Sequence, residues 1–287
     1  MRPVGAVLVC AGLLLAGCSE PSAPESAGTP SPSPASPSRP SPSQALQTPS
    51  PSVELTALAE RCGLAGQRAA ATPRVVKVSN DVQLYSAGAG RGRLGVVLVH
   101  GSGSRGICNW AVEIGWLAEA GLNVVGYDQT CVGASTCVDE VRPVEDLLAV
   151  VADLRARGAT QVVVVGASAG GSIPLVAAAR PDSGITAAVS LSTAGLATPL
   201  GTADAPDTSA TSVAGTIRQP VLYVLARDDT ASSVPEVTSI SKATKRARLV
   251  LLPTGSGHAQ EVLYTPGGQT SSPFRQTFLN FLRTPSA

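Results

Sequence analysis

The stretch Gln161-Val-Val-Val-Val165, followed directly by Gly166-Ala-Ser-Ala-Gly-Gly171, decides the fold. An unbroken apolar run before a glycine-rich turn is typical of a strand that is buried on both faces of a parallel sheet. The glycines around Ser168 permit a sharp turn, and we expect a helix after it. In this setting the pattern G-x-S-x-G exposes a serine Oγ at the edge of a sheet. Ser168 is therefore the candidate nucleophile.

Similar apolar runs recur along the chain and predict further strands. They are preceded by two shorter runs, 74–78 and 82–85, which the turn-like residues 79–81 join into a hairpin. Helical patterns alternate with the later runs, so the sequence predicts an α/β fold with a mostly parallel central sheet. The remaining predicted strands are 95–99, 123–127, 187–191, 220–225 and 248–252.

Three helices are predicted from their own signals. Residues 110–120 predict a helix that Gly121 ends. Residues 143–157 begin with Pro143, which suits a first helical turn, and their apolar residues share one face by helical spacing. Phe274, Phe278 and Phe281 recur at helical spacing near the C-terminus. This aromatic stripe is interpreted as core packing rather than as a ligand site.

A serine hydroxyl is a weak nucleophile and needs an adjacent base. The chain has only two histidines, His100 and His258. His258 follows the last predicted strand in a loop rich in glycine and serine, which can bring its ring over the sheet edge at which Ser168 lies. His258 is therefore the preferred base, and His100 is the alternative.

Three further segments resemble the α/β-hydrolase family. Val97-Leu-Val-His-Gly-Ser-Gly103 is similar to the family's strand with its following His-Gly, and residues 127–135 are similar to its D-x-R-G-x-G-x-S turn. Thr130 and Cys131 depart from that turn, because they stand where the family often has Arg-Gly. The strand ends at 220–229 and 255–258 resemble those that carry the acid and the histidine, so the resemblance covers roughly residues 70–285.

The resemblance implies an α/β-hydrolase fold with helices on both faces of the sheet, and a triad in the chain order serine, acid, histidine. The acid should bind the far nitrogen of His258. The family's acid often lies three residues after a glycine, whose place Ala226 takes here, which favours Asp229. The family's histidine at the position of His100 is usually structural. The alternatives for the acid are Asp228, then Asp204 or Asp207.

Acyl transfer also requires N–H groups that bind the developing oxyanion. The residue after the nucleophile, Ala169, and the residue after His-Gly, Ser102, are the candidate donors through their backbone amides.

The segment between the strands near 190 and 220 bears on the substrate. Residues 192–219 contain no aromatic residue and are too few and too polar for a substantial cap domain. We therefore expect an open site that hydrolyses small or medium carboxylic esters. An acyltransferase, a peptidase and a catalytically inactive binding module remain as alternatives, since the first two share the acyl-enzyme chemistry and the third only the fold.

The N-terminal region predicts export and lipid anchoring. Residues 1–18 have the layout of a secretory signal, and its end, Leu-Ala-Gly-Cys18, resembles the lipobox of bacterial lipoproteins. Residues 19–52 are rich in proline and serine and predict a disordered tether. The catalytic domain is then residues 53–287, held by a lipid on Cys18 at the outer side of the cytoplasmic membrane.

The four cysteines of the predicted domain suggest two disulfides in an exported protein. Three pairings are conceivable. Cys131 with Cys137 is the favoured local pair, which leaves Cys62 with Cys108.

The composition argues against other classes of partner. The net charge is +1 and aromatic residues make up 3% of the chain, so no basic or stacking surface for nucleic acid is expected. Two histidines are too few for histidine-based metal clusters. We expect neither a metal nor a cofactor.

Overall fold

Eight strands form one sheet in the computed structural model, which describes residues 52–200, 205, 207–268 and 270–286. Their order is β1-β2-β4-β3-β5-β6-β7-β8. β2 runs antiparallel to both β1 and β4, and all other neighbours are parallel. The strands are β1 (Thr72–Lys77), β2 (Gln83–Ala89), β3 (Leu94–Val99), β4 (Asn123–Tyr127), β5 (Gln161–Ala167), β6 (Ala187–Leu191), β7 (Val221–Ala226) and β8 (Ala247–Leu252).

Helices connect the parallel strands and cover the sheet. They are α1 (Leu58–Cys62), α2 (Leu64–Ala69), α3 (Ala111–Glu119), α4 (Pro143–Ala156), α5 (Ile173–Ala179), α6 (Ala210–Val213), α7 (Val234–Ala243) and α8 (Phe274–Arg283). Short 3₁₀ turns occupy Gly106–Trp110, Ser168–Gly171, Ala214–Thr216 and Ala259–Leu263.

The central strands of the sheet are buried on both faces, which explains their continuous apolar runs, whereas the edge strand β1 is mostly exposed. In β5, Val162 and Val164 pack into one hydrophobic cluster, and Val163 and Val165 pack into the cluster on the opposite face. Successive side chains of a strand point to opposite faces, so a strand buried on both must be apolar throughout. The expectation of an α/β fold with a mostly parallel sheet is confirmed.

The predicted elements agree with the structure in type and differ at their ends. The predicted helix 110–120 begins one residue later, after the 3₁₀ turn, and ends before Gly121, whose φ is +88°. The C-terminal stripe is core packing as expected, since all three phenylalanines of α8 are buried. The pattern gave no prediction for α1, α2, α6 or α7.

Both disulfides favoured by the sequence are present. Cys62 at the end of α1 joins Cys108 in the 3₁₀ turn that precedes α3. Cys131 joins Cys137 within the loop between β4 and α4. The first bond ties the N-terminal helices to the sheet domain, and the second closes a local loop.

Between β6 and β7, the described residues form only α6 and the 3₁₀ turn at Ala214–Thr216. The residues that the structure describes form one compact unit. Within the described ranges, no helix is long and apolar enough to cross a bilayer. The predicted signal, the lipidation site Cys18 and the tether to residue 51 lie outside the described residues.

Candidate active site

Ser168 lies at the carboxyl end of β5, in the turn that leads to α5, and has a φ of +53°. A non-glycine residue with this backbone conformation is strained, and such strain concentrates at functional sites. The turn is close-packed: a Cβ on Gly166 would collide with the Gly170 carbonyl, and one on Gly170 with the His100 carbonyl. Glycine at both positions is therefore a packing requirement of the turn that exposes Ser168.

His258 approaches Ser168 from the loop that follows β8. Its Nε2 lies 2.9 Å from the Ser168 Oγ. The loop is fixed on either side of the ring: the Gly255 N–H donates to the Asp228 carboxylate at 2.9 Å, and the His258 N–H donates to Glu261 Oε2 at 3.0 Å. The histidine is thus held by its backbone as well as by its ring.

Asp229, three residues after the end of β7, binds the other ring nitrogen of His258. Its carboxylate oxygens lie 2.9 and 3.0 Å from His258 Nδ1, and the Asp229 side chain is 1% exposed. Since a carboxylate only accepts, Nδ1 carries the proton and donates it. The unprotonated Nε2 then faces the Ser168 hydroxyl, which donates to it. The structure therefore joins the three predicted residues in one chain of hydrogen bonds.

Backbone amides hold Asp229 in this orientation. Its Oδ1 accepts from the N–H groups of Ala231 at 3.0 Å and Ser232 at 3.1 Å. The Ser232 hydroxyl in turn donates to the Thr193 carbonyl at 2.7 Å, which links the loops after β6 and β7. Ser232 carries no sequence signal of this role, because a serine three residues from an aspartate is a common turn pattern.

The alternative acids take other positions. Asp228 points to the Gly255 amide and so supports the loop of His258 rather than its ring. Asp207 lies in the turn before α6, and Asp204 is outside the described residues.

The loop after β3 lies against the nucleophile. We call residues 101–106 the oxyanion loop. A Cβ on Gly101 would lie 2.9 Å from the Ser168 Cβ and 3.5 Å from its Oγ, so this backbone borders the serine directly. Ser102 and Ala169 are both exposed, and within the described residues neither N–H donates to another group of the protein. Both amides are therefore available to an incoming oxygen.

His100 is buried, and its ring forms hydrogen bonds to the backbone of the oxyanion loop and of Gln129 rather than to Ser168. Its Nε2 accepts from the Gln129 N–H at 3.2 Å, so Nδ1 carries the proton and donates to the Gly101 carbonyl at 2.7 Å. The Gln129 side chain also donates to the His100 carbonyl at 2.9 Å. Burial lowers the pKa of His100 and keeps it neutral, which suits a structural role.

A buried carboxyl outside the predicted set lies behind the histidine loop. Glu113 of α3 is 2% exposed, and burial raises its pKa to about 7. It accepts a 2.7 Å hydrogen bond from Tyr264, which follows the 3₁₀ turn after His258. The Arg275 guanidinium of α8 stacks on Trp116 at 3.7 Å beside this pair. Glu113 carries no sequence signal of its burial, because a single glutamate within a helix is most often exposed.

Among the described residues, no group of three histidine, cysteine, aspartate or glutamate side chains is arranged to hold a metal ion. A cavity of about 300 Å³ borders His258 and is lined by Asp229, Thr230 and Gly257 among others. A larger groove of about 570 Å³ lies between the β1–β2 hairpin and α4, away from Ser168.

Residues 96–275 match the family described as "Alpha/beta hydrolase family", and they make up more than half of the chain. The chain therefore belongs to the α/β-hydrolase family. No curated protein matches its sequence.

Similar solved structures share this fold at low sequence identity. An esterase of Pyrococcus furiosus is 18% identical, with a TM-score of 0.59, and the match covers 76% of this chain and 91% of the esterase. A proline iminopeptidase of Mycobacterium smegmatis is 18% identical, with a TM-score of 0.56 and coverages of 74% and 98%. A bacterial membrane phospholipase A is 18% identical, with a TM-score of 0.59 and coverages of 79% and 91%.

Proposed function

We propose that the chain is a membrane-tethered serine hydrolase that cleaves small or medium carboxylic esters through an acyl-enzyme on Ser168. The observation that carries the proposal is the continuous chain from Ser168 Oγ to His258 Nε2 and from His258 Nδ1 to Asp229, both steps at 2.9 Å. Nucleophile, base and orienting acid within hydrogen-bonding reach are the arrangement that activates a serine.

In the proposed reaction, each of these groups has a step. His258 Nε2 takes the hydroxyl proton as Ser168 Oγ attacks the ester carbonyl, and the Asp229 carboxylate stabilises the resulting imidazolium. The Ser102 and Ala169 amides bind the oxyanion of the tetrahedral intermediate. His258 then gives the proton to the leaving alcohol, which leaves an acyl-Ser168. Water, activated by the same histidine, attacks this ester and releases the acid.

The open surroundings of the serine favour small or medium esters. The described part of the β6–β7 connection contributes only one short helix and one 3₁₀ turn, and the oxyanion loop around Ser102 is exposed. Two of the three similar structures, the esterase and the phospholipase, are named for the cleavage of esters. We therefore expect activity on dissolved short-chain esters without a rise at the solubility limit of long-chain ones.

The proposed location is the outer side of the cytoplasmic membrane, with lipid on Cys18. Two disulfides in the folded part support export, because such bonds persist in oxidising compartments. The chain would act on substrates that reach the cell envelope.

Fluorophosphonate labelling of the full chain in detergent tests the activated serine. We expect the wild type to be labelled, and Ser168→Ala and His258→Ala to lose the label while they keep their far-ultraviolet circular dichroism. Folded wild type that resists labelling would favour the binding-module alternative. Faster consumption of an ester when alcohol or amine acceptors are added, with the acyl product found on the acceptor, would identify a transferase instead.

A further inference from the structure

Asp128 is a fully buried carboxylate directly after β4. Its Oδ1 accepts from the Ile107 N–H at 2.7 Å, and its Oδ2 accepts from the Ala134 N–H at 3.0 Å. Arg61 Nη2 lies 2.6 Å from the same Oδ2. A buried charge is costly unless it is paired and hydrogen-bonded, and Asp128 meets both conditions only with Arg61 in place.

Asp128 and its neighbour Gln129 fix the oxyanion loop at both ends. The Gln129 backbone N–H donates to the ring of His100, immediately before the loop. The Asp128 carboxylate accepts from Ile107, immediately after it. Between these two anchors the loop is largely exposed and contains the Ser102 amide. The position of that amide relative to Ser168 therefore depends on the residues that hold Asp128.

Arg61 comes from α1, a part of the chain outside the sheet. Its guanidinium stacks on the Tyr85 ring at 4.1 Å, and the Tyr85 hydroxyl donates to the Thr56 carbonyl at 2.7 Å. The next residue, Cys62, is bonded to Cys108, which follows Ile107. Helix α1 is thus connected to the end of the oxyanion loop in two ways, by the Cys62–Cys108 disulfide and by the ion pair between Arg61 and Asp128.

The turn after β4 contains no cationic residue that could pair with Asp128, and it leaves room for the guanidinium of Arg61. Residues 128–135 contain no lysine or arginine, and Thr130 instead donates its N–H and its hydroxyl to the carboxylate of Asp146. A Cβ on Gly133, whose φ is +58°, would lie 2.6 Å from Arg61 Nη2 and would collide with Asp128. Glycine at this point lets the guanidinium approach the buried carboxylate.

We propose that Arg61 is a positioning residue for the oxyanion loop. Through this residue, the N-terminal helix α1 helps to hold the Ser102 amide in place beside Ser168. The inference rests on the proposed function as far as rates are concerned. Loss of the Arg61 charge leaves the Asp128 carboxylate unpaired, which weakens the hold on Ile107 and displaces the Ser102 amide. Because the oxyanion forms only during the reaction, kcat should fall while KM changes little.

The test compares Arg61→Gln, Arg61→Lys and the control Arg68→Gln in the full chain, with rates normalised to phosphonate-titrated active sites. Arg68 is exposed on α2 of the same segment. We expect kcat to fall about 10- to 100-fold in Arg61→Gln, in line with a partly lost oxyanion donor. Arg61→Lys should recover most of this loss because it keeps the cation, and Arg68→Gln should match the wild type.

Amide hydrogen exchange of residues 101–110 provides a readout that does not require catalysis. Exchange should quicken in Arg61→Gln and stay near the wild type in Arg61→Lys. Wild-type exchange and wild-type kcat in Arg61→Gln would overturn the inference and leave the proposed function standing. Equal losses of kcat in the glutamine and lysine variants would also overturn it, because the charge would then be irrelevant. An inactive wild type with faster exchange in Arg61→Gln would refute the proposed function alone.

Discussion

At the scale of single residues, two adjacent aspartates of the site have different roles. Asp229 binds the ring of His258, and Asp228 binds the Gly255 amide that fixes the histidine loop. The resemblance to the family favoured Asp229, because Ala226 takes the place of the family's glycine, but adjacent residues of a turn can exchange roles with a small backbone rotation. Only the side-chain directions in the folded loop distinguish them.

This division predicts unequal effects of two matched substitutions. Asp229→Asn should lower kcat by about four orders of magnitude, because an amide favours the wrong tautomer of His258. Asp228→Asn should lower it less than about tenfold, since the asparagine oxygen still accepts from Gly255. Steady-state kinetics on a short-chain ester, with both variants at equal active-site concentration, measures the two ratios. A larger loss in Asp228→Asn would refute the assignment of the acid.

At the scale of elements, the strands that the sequence predicts are those formed by continuous apolar runs. Most strands of the parallel sheet were predictable as apolar runs, because both of their faces are buried. The edge strand β8 is less buried and contains the exposed Arg248. α1 and α2 have five and six residues, too few for a periodic pattern. α7 did carry start signals, namely Ser233 as N-cap with Pro235 and Glu236 behind it. The pair Arg61 and Asp128 joins distant segments and left no local pattern.

The two disulfides should contribute unequally to stability. Cys62 and Cys108 are 46 residues apart, whereas Cys131 and Cys137 are 6 apart. In the chain-entropy description, the longer loop corresponds to about 4 kcal/mol of unfolding free energy and the shorter one to about 2 kcal/mol.

Urea unfolding of the two double serine variants measures this difference. The Cys62→Ser/Cys108→Ser chain should be the less stable. It should also lose kcat, because that bond holds the end of the oxyanion loop, while Cys131→Ser/Cys137→Ser should retain most of it. Equal stabilities and equal rates would contradict the placement of the longer disulfide as the tie between α1 and the active site.

At the scale of the whole molecule, the carboxyl edge of the sheet gathers the reacting groups, and the packing behind it sets their stability. Ser168, Asp229 and His258 follow β5, β7 and β8, three strands that are parallel in one sheet. Glu113, Tyr264 and Arg275 join α3, the segment after His258 and α8 in one polar cluster. The protonation of this cluster therefore bears on the stability of the fold.

The buried Glu113 predicts a stability that falls as the pH rises. Its pKa is raised from 4.5 to about 7, so between these values the folded chain binds more protons than the unfolded one. The unfolding free energy should therefore decrease by up to about 3 kcal/mol between pH 4.5 and 7 through this group, and level off above pH 7. The Glu113→Gln chain lacks the ionisation and can still accept the Tyr264 hydrogen bond. Urea unfolding of both chains from pH 4.5 to 8 measures this effect. As the pH rises, the unfolding free energy of Glu113→Gln should increase relative to that of the wild type. A difference that stays constant with pH would show that Glu113 keeps one protonation state.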